Sequence, residues 1–267
     1  MKFHQFLYNL HLLSFDVAVG AVVQTLAIQK FTNFIFPNDF FLLLPLSILF
    51  IYWIDRLLDV AHWKINNLIS LKHRFYKQNH LFILILTVIL GIFLFIKGLF
   101  FSSEEVFQLG ILGGFLMLIY FFIHHKYKGS PILYYFKEFM VAGIYSFVLW
   151  FLPFQYSFNY LYFFAWLALF LNAILNLWIL SMWDKSLDEK MKIHSIAQLN
   201  FTEKFLKILF LITIFVSTLL LIGDYGYGTC FIIMSLLHVL IWKYGNSLER
   251  YWIEFIFWVP IFYVIIG

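Results

Sequence analysis

Charge is scarce in this sequence. Asp, Glu, Lys and Arg make up 12% of its 267 residues, while 63% are hydrophobic. A soluble domain needs a polar surface, and these residues are too few to build one. Cysteine is nearly missing as well. Cys230 stands alone, which excludes an intrachain disulfide and a cysteine-cluster metal centre. The few prolines and glycines gather into no linker, so residues 1–267 read as a single domain. Met1–His11 is polar and aromatic and runs into an apolar stretch without a small-residue cleavage site, so no cleaved leader is expected. No nucleic-acid-binding motif is present, and no nucleic-acid partner is expected.

Apolar runs of about 20 residues, the length of a helix that crosses a bilayer, fill most of the chain. Nine are expected: Leu10–Phe36, Phe40–Val60, Leu81–Phe101, Val106–His124, Leu133–Leu152, Asn159–Trp183, Phe205–Gly223, Gly228–Trp242 and Tyr251–Ile266. The fold class is therefore all-α, a polytopic membrane protein. Lys64, Lys72, Arg74 and Lys77 follow the second run, and Lys126 and Lys128 the fourth. Lys185, Lys190, Lys192 and Lys204 follow the sixth, and Lys243 and Arg250 the eighth. The alternate connections carry little beyond Lys30 and Lys97. The positive-inside rule then puts the basic loops and the amino terminus in the cytoplasm, with the chain in the cell membrane.

Two acidic motifs stand out against this apolar background: Asp55-Arg56-Leu57-Leu58-Asp59 and Asp184-Lys185-Ser186-Leu187-Asp188. On a helix, residues i and i+4 point the same way, so each motif aims two carboxylates together. Two such pairs facing one another repel unless cations sit between them. Oxygen ligands of this kind suit Mg²⁺, which completes its shell with waters and substrate phosphates. The motifs point to a diphosphate site at a membrane surface. The other reading is two ordinary helix ends, balanced locally by Arg56, Lys64, Lys185 and Lys190. Each motif ends the second helix of a four-span half, a weak parallel repeat with the ninth span left over.

With these motifs the chain resembles the UbiA-type intramembrane prenyltransferases, as a divergent member. Asp55 and Asp59 match the last two acids of the family's N-D-x-x-D-x-x-x-D, with Ile51 and Tyr52 where it has Asn-Asp. Asp184 and Asp188 match D-x-x-x-D, Ser195-Ile196-Ala197 matches the tail after it, and Tyr134-Tyr135-Phe136-Lys137 matches Y-x-x-K. The family's R-P-x-x-x-G has no counterpart; His73-Arg74-Phe75-Tyr76-Lys77 stands near its place.

The resemblance implies a nine-helix bundle that moves a prenyl group from an isoprenyl diphosphate to an aromatic or lipid acceptor. It also implies that Asp55, Asp59, Asp184 and Asp188 hold Mg²⁺, with Arg56, Arg74, Lys77 and Lys137 on the diphosphate. Tyr52, Asn172 and Asn176 are candidates for the substrate pocket. Asp16, a carboxylate inside the first span, should face a cavity or a partner and could take the acceptor's proton. A prenyl diphosphate cyclase and a non-catalytic isoprenoid-binding or assembly protein are the alternatives on the same fold.

Overall fold

The computed structural model describes residues 10–61, 71–126, 132–191, 196–198, 202–245 and 251–266. Among these, every regular element is helical. Seven helices are long and apolar enough to cross a membrane, which makes this a multi-pass membrane protein. They are α2 (Asn38–Ala61), α4 (His80–Phe101), α5 (Glu104–Lys126), α6 (Ile132–Tyr156), α7 (Tyr160–Met191), α8 (Thr202–Gly223) and α9 (Tyr225–Tyr244).

The first and last expected spans differ from these. Helix α1 covers only Phe15–Thr32 of the run Leu10–Phe36. Ser14 before it (φ 62°) and Asn33 after it (φ 54°) both adopt the left-handed conformation, which ends an α-helix. The run Tyr251–Ile266 is broken into α10 (Tyr251–Phe255), a 3₁₀ turn (Ile256–Trp258) and α11 (Ile261–Ile266). Pro260 lies at that break and supplies no N–H to continue a helix. An additional helix, α3 (Leu71–Gln78), forms within the loop that follows the first acidic motif. Its Tyr76 is fully buried with Trp53, Leu57 and Val60 of α2.

Helix α7 is the centre of the molecule. In its most apolar stretch 67% of residues are buried, against 11% in α4. Ala165 and Ala168 on α7 present small surfaces that let its neighbours approach closely. Helices α6, α8 and α9 pack around it. Helix α2 packs on α1, α3, α4 and α5, and α1 touches α6 and the whole carboxyl-terminal segment. Helix α7 is thus enclosed by protein, and the most apolar helix, α4, is left facing outward.

Between helices in lipid there is little hydrophobic drive, so close packing and hydrogen bonds hold the bundle together. Gln24 of α1 donates to the Phe257 carbonyl at 3.1 Å, and Ser235 of α9 donates to Asn172 of α7 at 3.3 Å. At the end of the bundle away from the acidic motifs, Lys30 donates to the Tyr263 and Val264 carbonyls at 2.9 and 3.2 Å.

Candidate active site at the motif end

Helix α2 places Asp55, Arg56 and Asp59 on its last two turns. The i to i+3 spacing lets Arg56 Nη1 reach Asp59 Oδ2 at 3.0 Å. His73 arrives from α3, its Nε2 3.7 Å from the same oxygen. Lys137, near the start of α6, is within electrostatic reach of both Asp55 and Asp59, and Tyr120 of α5 lies within reach of the same carboxylates and is buried. Four helices therefore direct charge or hydroxyls at one carboxylate pair. Two buried nitrogens in the cluster, Arg56 Nε and His73 Nδ1, have no hydrogen-bond partner among the described residues.

The second motif approaches through Glu138, the neighbour of Lys137. Glu138 is buried and accepts from Ser181 Oγ of α7 at 2.9 Å. It also accepts from the backbone of Ile196, in the buried turn Ile196–Gln198 that follows the second motif. Asp184 lies one helical turn beyond Ser181, half-buried and with interactions of its own. The Asp188 side chain lies outside the described residues, as do those of Tyr134, Tyr135 and Lys190 and all of Ser195. Lys137 and Glu138 thus sit between the helix of the first motif and that of the second.

A second polar group reaches deeper into the bundle. Tyr52, one turn before Asp55, lies within electrostatic reach of Asp16 and Glu254. Asn176 of α7 donates to Glu254 Oε2 at 3.2 Å. Asp16 is 2% exposed and His11 Nδ1 is 2.7 Å from its Oδ2. The left-handed Ser14 turns the chain back so that His11 returns over Asp16. Asp16 also accepts from the Val17 N–H at 3.0 Å, so a carboxylate in an apolar stretch has the partners its burial demands.

The remaining expected residues have other surroundings. Lys77 donates to the Val60 and Ala61 carbonyls at 3.0 and 3.3 Å and thereby caps the end of α2. Arg74 is exposed on α3 and has contacts of its own. Asn172 joins α7 to α9 through Ser235, away from the charged cluster. Burial pushes the Tyr76 hydroxyl up to about 12, against the pull of the Arg56 guanidinium beside it.

Sequence reasoning did not single out Glu138, Glu254, Tyr120 or His11. The two glutamates carried a usable signal, a carboxylate inside an apolar run, the same signal that selected Asp16. Tyr120 carried none among 16 tyrosines.

The donor set suits a hard cation. Asp55 and Asp59 supply two oxygen ligands from one helix face, and Mg²⁺ takes most of its shell from water and phosphate oxygens. Among the described residues no group of three or more His, Cys, Asp or Glu gathers tightly enough to hold an ion by itself. The same pocket offers cationic and N–H donors for an anion, so the chemistry fits a metal–diphosphate pair better than a bare metal. No family model, curated protein or solved structure matches the chain.

Proposed function

We propose that this chain is an intramembrane prenyltransferase of the UbiA type, with nine membrane passages and its acidic motifs facing the cytoplasm. One observation carries the reading. The Arg56 Nε–H is buried without a partner beside Asp59, where an anion would complete its hydrogen bonding. A diphosphate oxygen supplies the acceptor that this donor lacks.

In this reading Asp55, Asp59, Asp184 and Asp188 would hold Mg²⁺, which when bound would supply countercharge to a leaving diphosphate. Arg56 and Lys137 turn from the carboxylates toward phosphate oxygens. The allylic C–O bond breaks, and the diphosphate departs with the electron pair. The π electrons of a lipophilic acceptor then form the new C–C bond with the prenyl cation. The acceptor's displaced proton goes to the Asp16–His11 pair, while Tyr52 and the Asn176–Glu254 pair line the approach. Asp16 and Asn176 are buried, which strengthens the polar contacts along the approach.

One feature favours the non-catalytic isoprenoid binder. Asp59 is already paired with Arg56 at 3.0 Å, so the site is internally compensated without metal. Incubation of the purified protein with a panel of prenyl diphosphates, with and without Mg²⁺, separates the readings. The transferase releases diphosphate only with Mg²⁺ and an acceptor, the cyclase needs no acceptor, and the binder retains the diphosphate intact. Asp55→Asn and Asp184→Asn each weaken binding about ten- to a hundredfold, and the double variant loses less than the two combined. Strictly additive losses, or binding indifferent to Mg²⁺, would overturn the shared site.

A further inference from the structure

A cavity of about 270 Å³ lies between α7, α8 and α9, apart from the acidic cluster. Leu175 and Ile179 form its floor, Phe210 and Trp242 its sides. Leu211, which also lines it, is 65% exposed, so the cavity opens on the outer face of the bundle. Two lining residues are polar. Lys207 is exposed at the mouth, and His238 is fully buried within.

His238 is the anomaly. Neither ring nitrogen has a hydrogen-bond partner among the described residues. The Met234 carbonyl one turn earlier lies near the ring without completing a bond. A neutral imidazole offers one donor and one acceptor, and leaving them unmade costs about 1–3 kcal/mol. Water fills such a cavity poorly, because a buried water needs two to four polar partners and the other walls are apolar. An occupant that lowers the cost brings an acceptor oxygen for the ring N–H into a greasy slot.

Helix geometry narrows its chemistry. Lys207 and His238 both lie about 8 Å inside the ends of their helices, at 1.5 Å rise per residue. This is the depth of the boundary between headgroups and acyl chains, where a lipid phosphate and its ester groups stand side by side. We propose that this cavity binds one anionic glycerophospholipid, its phosphate on Lys207, an ester carbonyl on His238 and an acyl chain along Leu211. The site does not depend on the transferase reading, since none of its lining residues belongs to the acidic cluster.

The test uses the purified full-length protein, stripped of lipid in detergent. It is titrated with phosphatidylglycerol or with phosphatidylcholine of the same chains, and bound lipids are counted by native mass spectrometry. The wild type takes up one phosphatidylglycerol with about fivefold preference, the worth of one lysine at the interface. Lys207→Gln, at an exposed position where packing is undisturbed, removes the preference, lowering phosphatidylglycerol uptake more than phosphatidylcholine uptake. His238→Leu lowers uptake of both lipids about fivefold, and His238→Gln, which keeps a donor and an acceptor, restores it. Equal uptake of the two lipids by the wild type overturns the proposal. So does retention unaffected by Lys207→Gln and His238→Leu, or displacement of the lipid by excess inorganic phosphate.

Discussion

Lys137 stands where a lysine is expensive, near the start of an apolar helix and partly buried. Asp55 and Asp59 across the helix boundary repay that cost, and Lys137 in turn keeps the two carboxylates from repelling each other. Removing the cation therefore exposes what else can neutralise the pair. Lys137→Gln should lower the melting temperature in metal-free detergent. Added Mg²⁺ should then stabilise the variant by about 2–4 °C more than the wild type, the shift worth about 1 kcal/mol in a chain of this size. Identical Mg²⁺ responses in the two proteins would count against Asp55 and Asp59 as ligands. At this scale the sequence was readable where spacing carries geometry. Asp55 and Asp59 sit i to i+4 on a helix, and that alone put them on one face. His11 was not readable, because it joins the inner group through the turn at Ser14, and no periodic pattern announces it; Glu254 was marked by its place in an apolar run, but its contact with Asn176 was not.

Helices α8 and α9 turn on two residues, Asp224 and Gly228. Asp224 Oδ1 accepts from the Tyr227 N–H at 2.7 Å and caps α9. A Cβ on Gly228 would stand 2.5 Å from the Leu221 nitrogen, a backbone atom with nowhere to move. Gly228→Ala should therefore destabilise the protein by about 1–3 kcal/mol. Gly98 and Gly114 have nothing within 4 Å of the same position, so alanine there should stabilise α4 and α5 by about 0.5–1 kcal/mol. Thermal unfolding of the three variants in one detergent checks both signs, and an unperturbed Gly228→Ala would refute the close approach. The tight turn explains why α9 begins at Tyr225, three residues before the expected Gly228. Two glycines in one helical turn lower helix propensity, and the Asp224 cap outweighs them. Long apolar runs made α4, α5, α6 and α8 legible to within a few residues, whereas α7 continues to Met191, past the expected end at Trp183. Helix α3 was missed because its eight residues are mostly polar and their helical face is settled only by the pocket that receives Tyr76.

Across the whole molecule, the first helix and the last segment depend on each other. Gln24 and Lys30 of α1 find their acceptors at Phe257, Tyr263 and Val264, more than 230 residues later. The indole of Trp258 donates to the Asp16 carbonyl at 3.0 Å, so the same segment also braces the carboxylate beside the candidate site. Deleting residues 251–267 should strip α1 of these partners, lowering the melting temperature and opening α1 to proteolysis, as mass mapping of the fragments would reveal. A truncated protein that melts unchanged and resists cleavage would argue that α1 is held by α2 and α6 alone. The order in which a ribosome makes the chain gives this closure a further meaning. Helix α1 leaves the ribosome more than 230 residues ahead of the groups that satisfy Gln24 and Lys30. Until Phe257, Tyr263 and Val264 follow, these polar groups have to be sheltered by the insertion machinery, and the arrival of that segment releases them from that dependence.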